Sequence, residues 1–321
     1  MTTPMAVGAL VVGLVLLVLG SDWLVRGAAR LAARWGMTPF AIGVTVVAFG
    51  TSAPELFASV RAGLAGVGDL AVGNVLGSNI ANVCLILGAT ALLHPVTVER
   101  AVLRLELPVM LVISLLASLT LLDGRVERLE GVVLFLGLIG YVVFSYRAGQ
   151  ADPELSREIE QEVAEEVGEG KRVPIWVDLV LVAVGLAALA GGAELLVNGA
   201  SYLAIEVLGV PTGVVGLTIV AFGTSLPELA ASVRAVITKQ HDIAVGNIVG
   251  SNVFNLLGVM GVASVVHPLE TPALWHAGVM LATGVLCYPV LSKGRLIGRV
   301  QGGVMVGVYL AYVIVAYTLK P

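Results

Sequence analysis

Charged residues stand so far apart in this chain that most of it has to be membrane. No Asp, Glu, Lys or Arg interrupts residues 1–21, 35–54, 70–98, 207–227, 243–269, 271–292 or 300–319. A helix needs about 20 apolar residues to cross a bilayer, and only helices and closed barrels satisfy their own backbone there. The runs are continuous rather than alternating with period two, which selects helices. Composition agrees, with 58% of the 321 residues hydrophobic and 12% charged, where soluble domains carry about a quarter charged. A net charge of −4 with no basic stripe argues against nucleic acid as a partner.

Ten spans are expected, at about 4–26, 38–62, 70–92, 102–122, 129–147, 175–200, 210–236, 243–265, 273–291 and 299–318. Residues 148–173 read as an acidic linker in water. Residues 1–20 have the length of a signal peptide, but they lack a basic start and run on into Ser21–Arg34 without a cleavage pattern. They are read as the first span. Cys84 and Cys287 fall inside spans and read as small packing residues rather than a disulfide or metal pair. Placing the N-terminus outside puts fourteen of the eighteen Lys and Arg residues on the cytoplasmic side, the linker included. The expected location is the cell inner (plasma) membrane, with both termini extracytoplasmic.

The chain also repeats itself. AFGTSAPELFASV at residues 48–60 and AFGTSLPELAASV at 221–233 differ only at Ala53/Leu226 and Phe57/Ala230. The offset of 173 also pairs GNVLGSNIANVCLILG (73–88) with GNIVGSNVFNLLGVMG (246–261), and His94-Pro95 with His267-Pro268. With a one-residue shift, GSDWLVRGAARLA (20–32) matches GAELLVNGASYLA (192–204). Two halves of five spans each enter the bilayer from opposite sides. The expected fold is therefore an all-α polytopic membrane protein of ten transmembrane helices, arranged as two inverted five-helix repeats with broken helices in the core. Such repeats place their ligand near the midplane. The expected domains are 1–147, the linker 148–173, and 174–321.

In G-T-S-x-P-E, Pro54 and Pro227 deny a donor to carbonyls one turn earlier, at about Gly50–Thr51 and Gly223–Thr224, with Ala48 and Ala221 beside them. Thr51, Ser52, Thr224 and Ser225 add hydroxyls. Glu55 and Glu228 add carboxylates, each unfavourable by about 2.5–3.5 kcal/mol at a bilayer centre. In the second motif Ser78 and Asn82 share a helix face, as do Ser251 and Asn255. Asn79 and Asn252 point elsewhere and read as caps where Gly77 and Gly250 break the helix. Gly73, Gly77, Gly246 and Gly250 read as close-packing positions. Nearly every atom offered is oxygen and no Cys, His or Met is among them, which favours hard cations such as Ca²⁺ or Na⁺ over softer metals. Elsewhere, Asp22 and Arg26 read as a helical ion pair, with Glu194 at the matched place in the second half. Asp178 and Glu106 are expected to snorkel from span ends, and His94 and His267 to be structural.

These paired motifs resemble the two α-repeats of the sodium/calcium exchanger family, within the cation/calcium exchanger superfamily, and the resemblance covers essentially the whole chain. It implies a secondary antiporter exchanging Na⁺ for Ca²⁺ by alternating access, with no enzymatic activity and no cofactor beyond the transported ions. Ca²⁺ would bind at Glu55, Glu228, Thr51 and Thr224. One Na⁺ would bind at Ser52, Ser78, Ala48 and Glu228, and another at Ser225, Ser251, Ala221 and Glu55, with Asn82 and Asn255 facing the centre. Spans one and six would slide across the core. Asn255 replaces an Asp found in some members, potassium-dependent ones included, which argues against a potassium site. The short linker lacks the calcium-sensing domains of animal exchangers. The expected partners are Ca²⁺, Na⁺ and the lipid bilayer, and the protein is expected to function as a monomer. A H⁺/Ca²⁺ antiporter using the same Glu pair is the alternative. A cation channel and an intramembrane hydrolase fit less well, because inverted repeats with midplane acids are transporter-like and catalysis needs unlike partners.

Overall fold

The computed structural model describes residues 1–98, 102–148, 174–209, 221–271, 274–292 and 296–318. The linker and the first part of span seven lie outside these residues. The helices are α1 (Thr3–Trp35), α2 (Pro39–Thr51), α3 (Ala53–Leu64), α4 (Gly68–Leu93), α5 (Val102–Leu119) and α6 (Arg128–Ala148) in the first half. The second half has α7 (Ile175–Val207), α8 (Leu226–Ile237), α9 (His241–Val266), α10 (Leu274–Ser292) and α11 (Arg299–Thr318). Helices α2 and α3 form one span bent by 45°, and α8 is the counterpart of α3 in the second half. The ten spans are thus α1, α2–α3, α4, α5, α6, α7, α8, α9, α10 and α11.

Two spans are longer than their apolar runs suggested. Helix α1 continues through Arg26, Arg30 and Arg34 to Trp35 and is closed by Gly36 at φ 61°, a left-handed cap open to glycine without strain. What keeps its polar last turns helical is α7. Asp178, expected to snorkel, is instead fully buried, with Arg30 Nε and Arg34 Nε each 2.7 Å from its carboxylate. Above that pair the helices touch almost backbone to backbone. A Cβ at Gly20 would stand 2.9 Å from the Gly185 carbonyl, so only small residues fit this seam.

Helices α4 and α9 are the buried pair at the centre, whereas α1, α6 and α11 present most of their apolar surface outward, as lipid-facing helices do. Neither central helix breaks at Gly77 or Gly250, contrary to expectation. Each runs on and widens to i→i+5 hydrogen bonding at Ala81–Ile86 and Phe254–Val259, a local widening that recurs at functional sites. Gly246 and Gly250 do pack closely, because a Cβ on either would meet the α2 backbone at 2.5 Å. Glu106 also stays inside, accepting a hydrogen bond from Tyr141 Oη at 3.2 Å. Cys84 is a buried free thiol, consistent with a packing role; the side chain of Cys287 lies outside the described residues.

Four two-residue strands interlock the halves. Val96–Thr97 of the first half pairs antiparallel with Leu296–Ile297 of the second, and Arg125–Val126 pairs with Leu269–Glu270. Each half thus closes the other's loops, and the two pairings are related by the sequence repeat.

Candidate functional site

Each half breaks a helix at the same serine. Ser52 has φ −85° and ψ 6°, and Ser225 has φ −89° and ψ 5°. Pro54 and Pro227 lie in the first turn of the helix that follows, where a missing N–H is harmless. Their effect falls on Gly50 and Gly223, whose carbonyls lose the donor four residues on. The ladder restarts when Leu56 N–H donates to Ser52 O at 3.2 Å and Leu229 N–H to Ser225 O at 3.1 Å. The copies differ one turn earlier. Ser52 N–H donates to the Ala48 carbonyl at 3.0 Å, so that carbonyl keeps its helical partner, whereas Ser225 N–H donates to Phe222 at 3.1 Å and not to Ala221.

Glu55 and Glu228 occupy the first turns of α3 and α8 and are fully buried, at the helix end whose dipole favours an anion. Each is held from the opposite half. Ser52 Oγ donates to Glu228 Oε1 at 3.1 Å, and Ser225 Oγ donates to Glu55 Oε1 at 3.3 Å. The hydroxyl of Thr51 lies within donating distance of Asn247 Oδ1 at 3.1 Å and of the Ala48 carbonyl at 3.4 Å, which turns its proton away from its remaining lone pairs. Thr51 is buried and Thr224 only half-buried. Ser78 and Ser251 are buried on α4 and α9, one turn ahead of Asn82 and Asn255.

Asparagine supplies a layer of support that sequence reasoning missed. Asn74 Nδ2 donates to the Glu55 carbonyl at 3.3 Å and to Ser59 Oγ at 3.0 Å, and Asn247 Nδ2 repeats this on Glu228 (3.4 Å) and Ser232 (3.0 Å). Their repetition at the same offset was the available signal. Asn79 and Asn252 do not cap their own helices. They reach across to the other half, where Asn82 Nδ2 donates to Asn252 Oδ1 and Asn255 Nδ2 donates to Asn79 Oδ1, both at 3.2 Å.

What remains is a set of buried oxygens with no hydrogen-bond partner among the described residues: Glu55 Oε2, Glu228 Oε2, Asn82 Oδ1, Asn255 Oδ1 and Ser251 Oγ. An unpaired buried polar group costs about 1–3 kcal/mol, more when charged. Five on the matched motifs of two halves ask for a positively charged guest. No group of three or more His, Cys, Asp or Glu side chains gathers among the described residues, so the charge available is that of the Glu pair. All-oxygen donors with two carboxylates suit hard cations.

A helical inverted repeat with broken helices and unpaired oxygens at its centre is the build of a cation antiporter. The chain belongs to the sodium/calcium exchanger family: the model for "Sodium/calcium exchanger protein" matches residues 5–147 and 177–318. It is 39% identical to the "Putative antiporter CaxA" of Alkalimonas amylolytica over 94% of this chain and 95% of that one. It is 37% identical to the "Inner membrane protein YrbG" of Escherichia coli (strain K12) over 99% and 98%. Among solved structures it resembles the sodium-calcium exchanger NCX_Mj, with TM-score 0.84 and 32% identity over 99% and 100% of the two chains.

Proposed function

We propose that this protein exchanges Na⁺ for Ca²⁺ across the cell's inner membrane by alternating access, binding its ions between α2–α3, α4, α8 and α9. The observation that carries the reading is the buried, unpaired oxygen set, drawn from both halves and headed by two carboxylates. Two Glu neutralise one Ca²⁺ or leave room for Na⁺ ions on overlapping ligands, so that one kind of occupancy excludes the other. Ca²⁺ takes Glu55, Glu228 and the backbone oxygens of Thr51 and Thr224. The Na⁺ positions take Ser52, Ser78, Ala48 and Glu228 on one flank, and Ser225, Ser251, Ala221 and Glu55 on the other. The serine–glutamate crossing supports this split, because Ser52 lies on Glu228 and Ser225 on Glu55. Asn82 and Asn255 face the centre as neutral oxygens, so exchange needs no potassium. The N- and C-termini are extracytoplasmic and a monomer suffices.

The test is ⁴⁵Ca²⁺ uptake into proteoliposomes loaded with Na⁺. An outward Na⁺ gradient drives uptake, and Glu55→Gln or Glu228→Gln lowers it at least about 100-fold, as expected when a charge-bearing ligand worth about 3 kcal/mol is lost. Uptake driven by a proton gradient and indifferent to Na⁺ would establish the H⁺/Ca²⁺ alternative instead.

A further inference from the structure

We propose that Asn79 and Asn252 are positioning residues that fix which end of the Asn255 and Asn82 amides faces the transported ion. An amide side chain is ambivalent, since its oxygen binds a cation and its NH₂ repels one. The structure resolves the choice by a chain of donors. Asn79 Nδ2 donates to the Asn252 backbone carbonyl at 3.2 Å, and a carbonyl accepts only a donor, so the Asn79 amide cannot be turned round. Its Oδ1 therefore points the other way and takes Asn255 Nδ2 at 3.2 Å. The Asn255 NH₂ is thereby held away and its Oδ1 is left unpaired among buried groups. In the other half Asn252 Oδ1 takes Asn82 Nδ2 at 3.2 Å, leaving Asn82 Oδ1 unpaired, while Asn252 Nδ2 rests on Met110 Sδ at 3.5 Å. Asn79, pinned on a carbonyl, thus orients Asn255, while Asn252 meets Asn82 in the same arrangement with only the weakly accepting Met110 sulfur behind its NH₂, and all four asparagine side chains are buried.

This inference rests on the ion site proposed above, and the test separates the two. A carboxylate has two equivalent oxygens and needs no orienting, so Asn82→Asp should release the protein from Asn252. Asn252→Leu is expected to raise the KM for Ca²⁺ in Na⁺-driven uptake at least tenfold with little change in maximal rate. The same substitution in the Asn82→Asp background should change KM less than threefold. Asn79→Leu with Asn255→Asp repeats the cycle in the other half, so a folding failure in one half leaves the other to decide. Equal KM effects in both backgrounds, or none in either, would overturn the positioning role. Absence of Na⁺-driven uptake by the unmodified protein would instead overturn the proposed function.

A separate observation lies at the helix ends. Asp22 of α1 is bridged to Arg26 at 3.0 Å and also to Arg234 of α8. The repeat matches Asp22 to Glu194 (offset 172) and Arg234 to Arg61 (offset 173). Yet Glu194 and Arg61 are both exposed, with no ion pair among the described residues. Helix α1 packs along α8, whereas α7 makes no comparable contact with α3. The geometry points to two ionic latches on opposite membrane faces, Asp22–Arg234 closed here and Glu194–Arg61 closed in the opposite-facing state. This rests on the alternating-access reading. Glu194→Arg is expected to slow exchange at least fivefold, and Glu194→Arg with Arg61→Glu to restore it within twofold, although the two residues do not touch in this structure. Both are exposed, so folding is not at stake. Additive losses in the double variant would overturn the second latch.

Discussion

Ser52 and Ser225 carry more than a hydroxyl to the proposed Na⁺ positions, because each also donates a hydrogen bond to the Glu carboxylate of the opposite half. A hydrogen bond to a charged group contributes about 1.5–3 kcal/mol. Ser52→Ala or Ser225→Ala is therefore expected to weaken the apparent Na⁺ affinity by roughly 10–100-fold while leaving the fold intact, measured from the Na⁺ dependence of ⁴⁵Ca²⁺ uptake. The glutamates, serines and threonines were legible in the sequence because each is a polar residue in an oily run, written twice. The roles of Asn79 and Asn252 were not. Helical periodicity says which residues share a face with Asn82, but not which residue of the other half meets that face. The expectation that glycines break α4 and α9 failed for a related reason: a widened turn at residues 81–86 and 254–259 absorbs the distortion without a break.

Among the elements, α1 and α7 pack together along their length. Their seam is glycine against glycine, and it ends in Asp178 clasped by two arginines. Removing one partner of a buried ion pair costs about 3–5 kcal/mol. Arg34 is about a third exposed, so water recovers part of that. Asp178→Asn is expected to lower stability by about 2–3 kcal/mol in detergent unfolding, whereas Asp22→Asn, at a more exposed site, should lower it by less than about 1 kcal/mol. The length of α1 was misread from sequence because charges were taken to end a span. Here they continue the helix, since their counter-charge arrives from a segment about 150 residues away in the chain.

At the scale of the whole molecule, neither half has a complete site or a complete set of strands. Co-expression of residues 1–148 with residues 174–321 is expected to restore Na⁺-driven Ca²⁺ uptake, while either piece alone gives none and elutes as aggregate on size exclusion. The inverted repeat itself was legible, because an odd number of spans per copy dictates it. The crossed pairing of the strands was not, being two residues long in each case. The crossing of Ser225 to Glu55 also has a consequence in time. The two residues are 170 positions apart, and chains are synthesised at about 5–20 residues per second. Glu55 thus spends roughly 10–35 s in the bilayer before the hydroxyl that completes it has been made, and the half-built protein has to survive that interval with a carboxyl group still waiting for its partner.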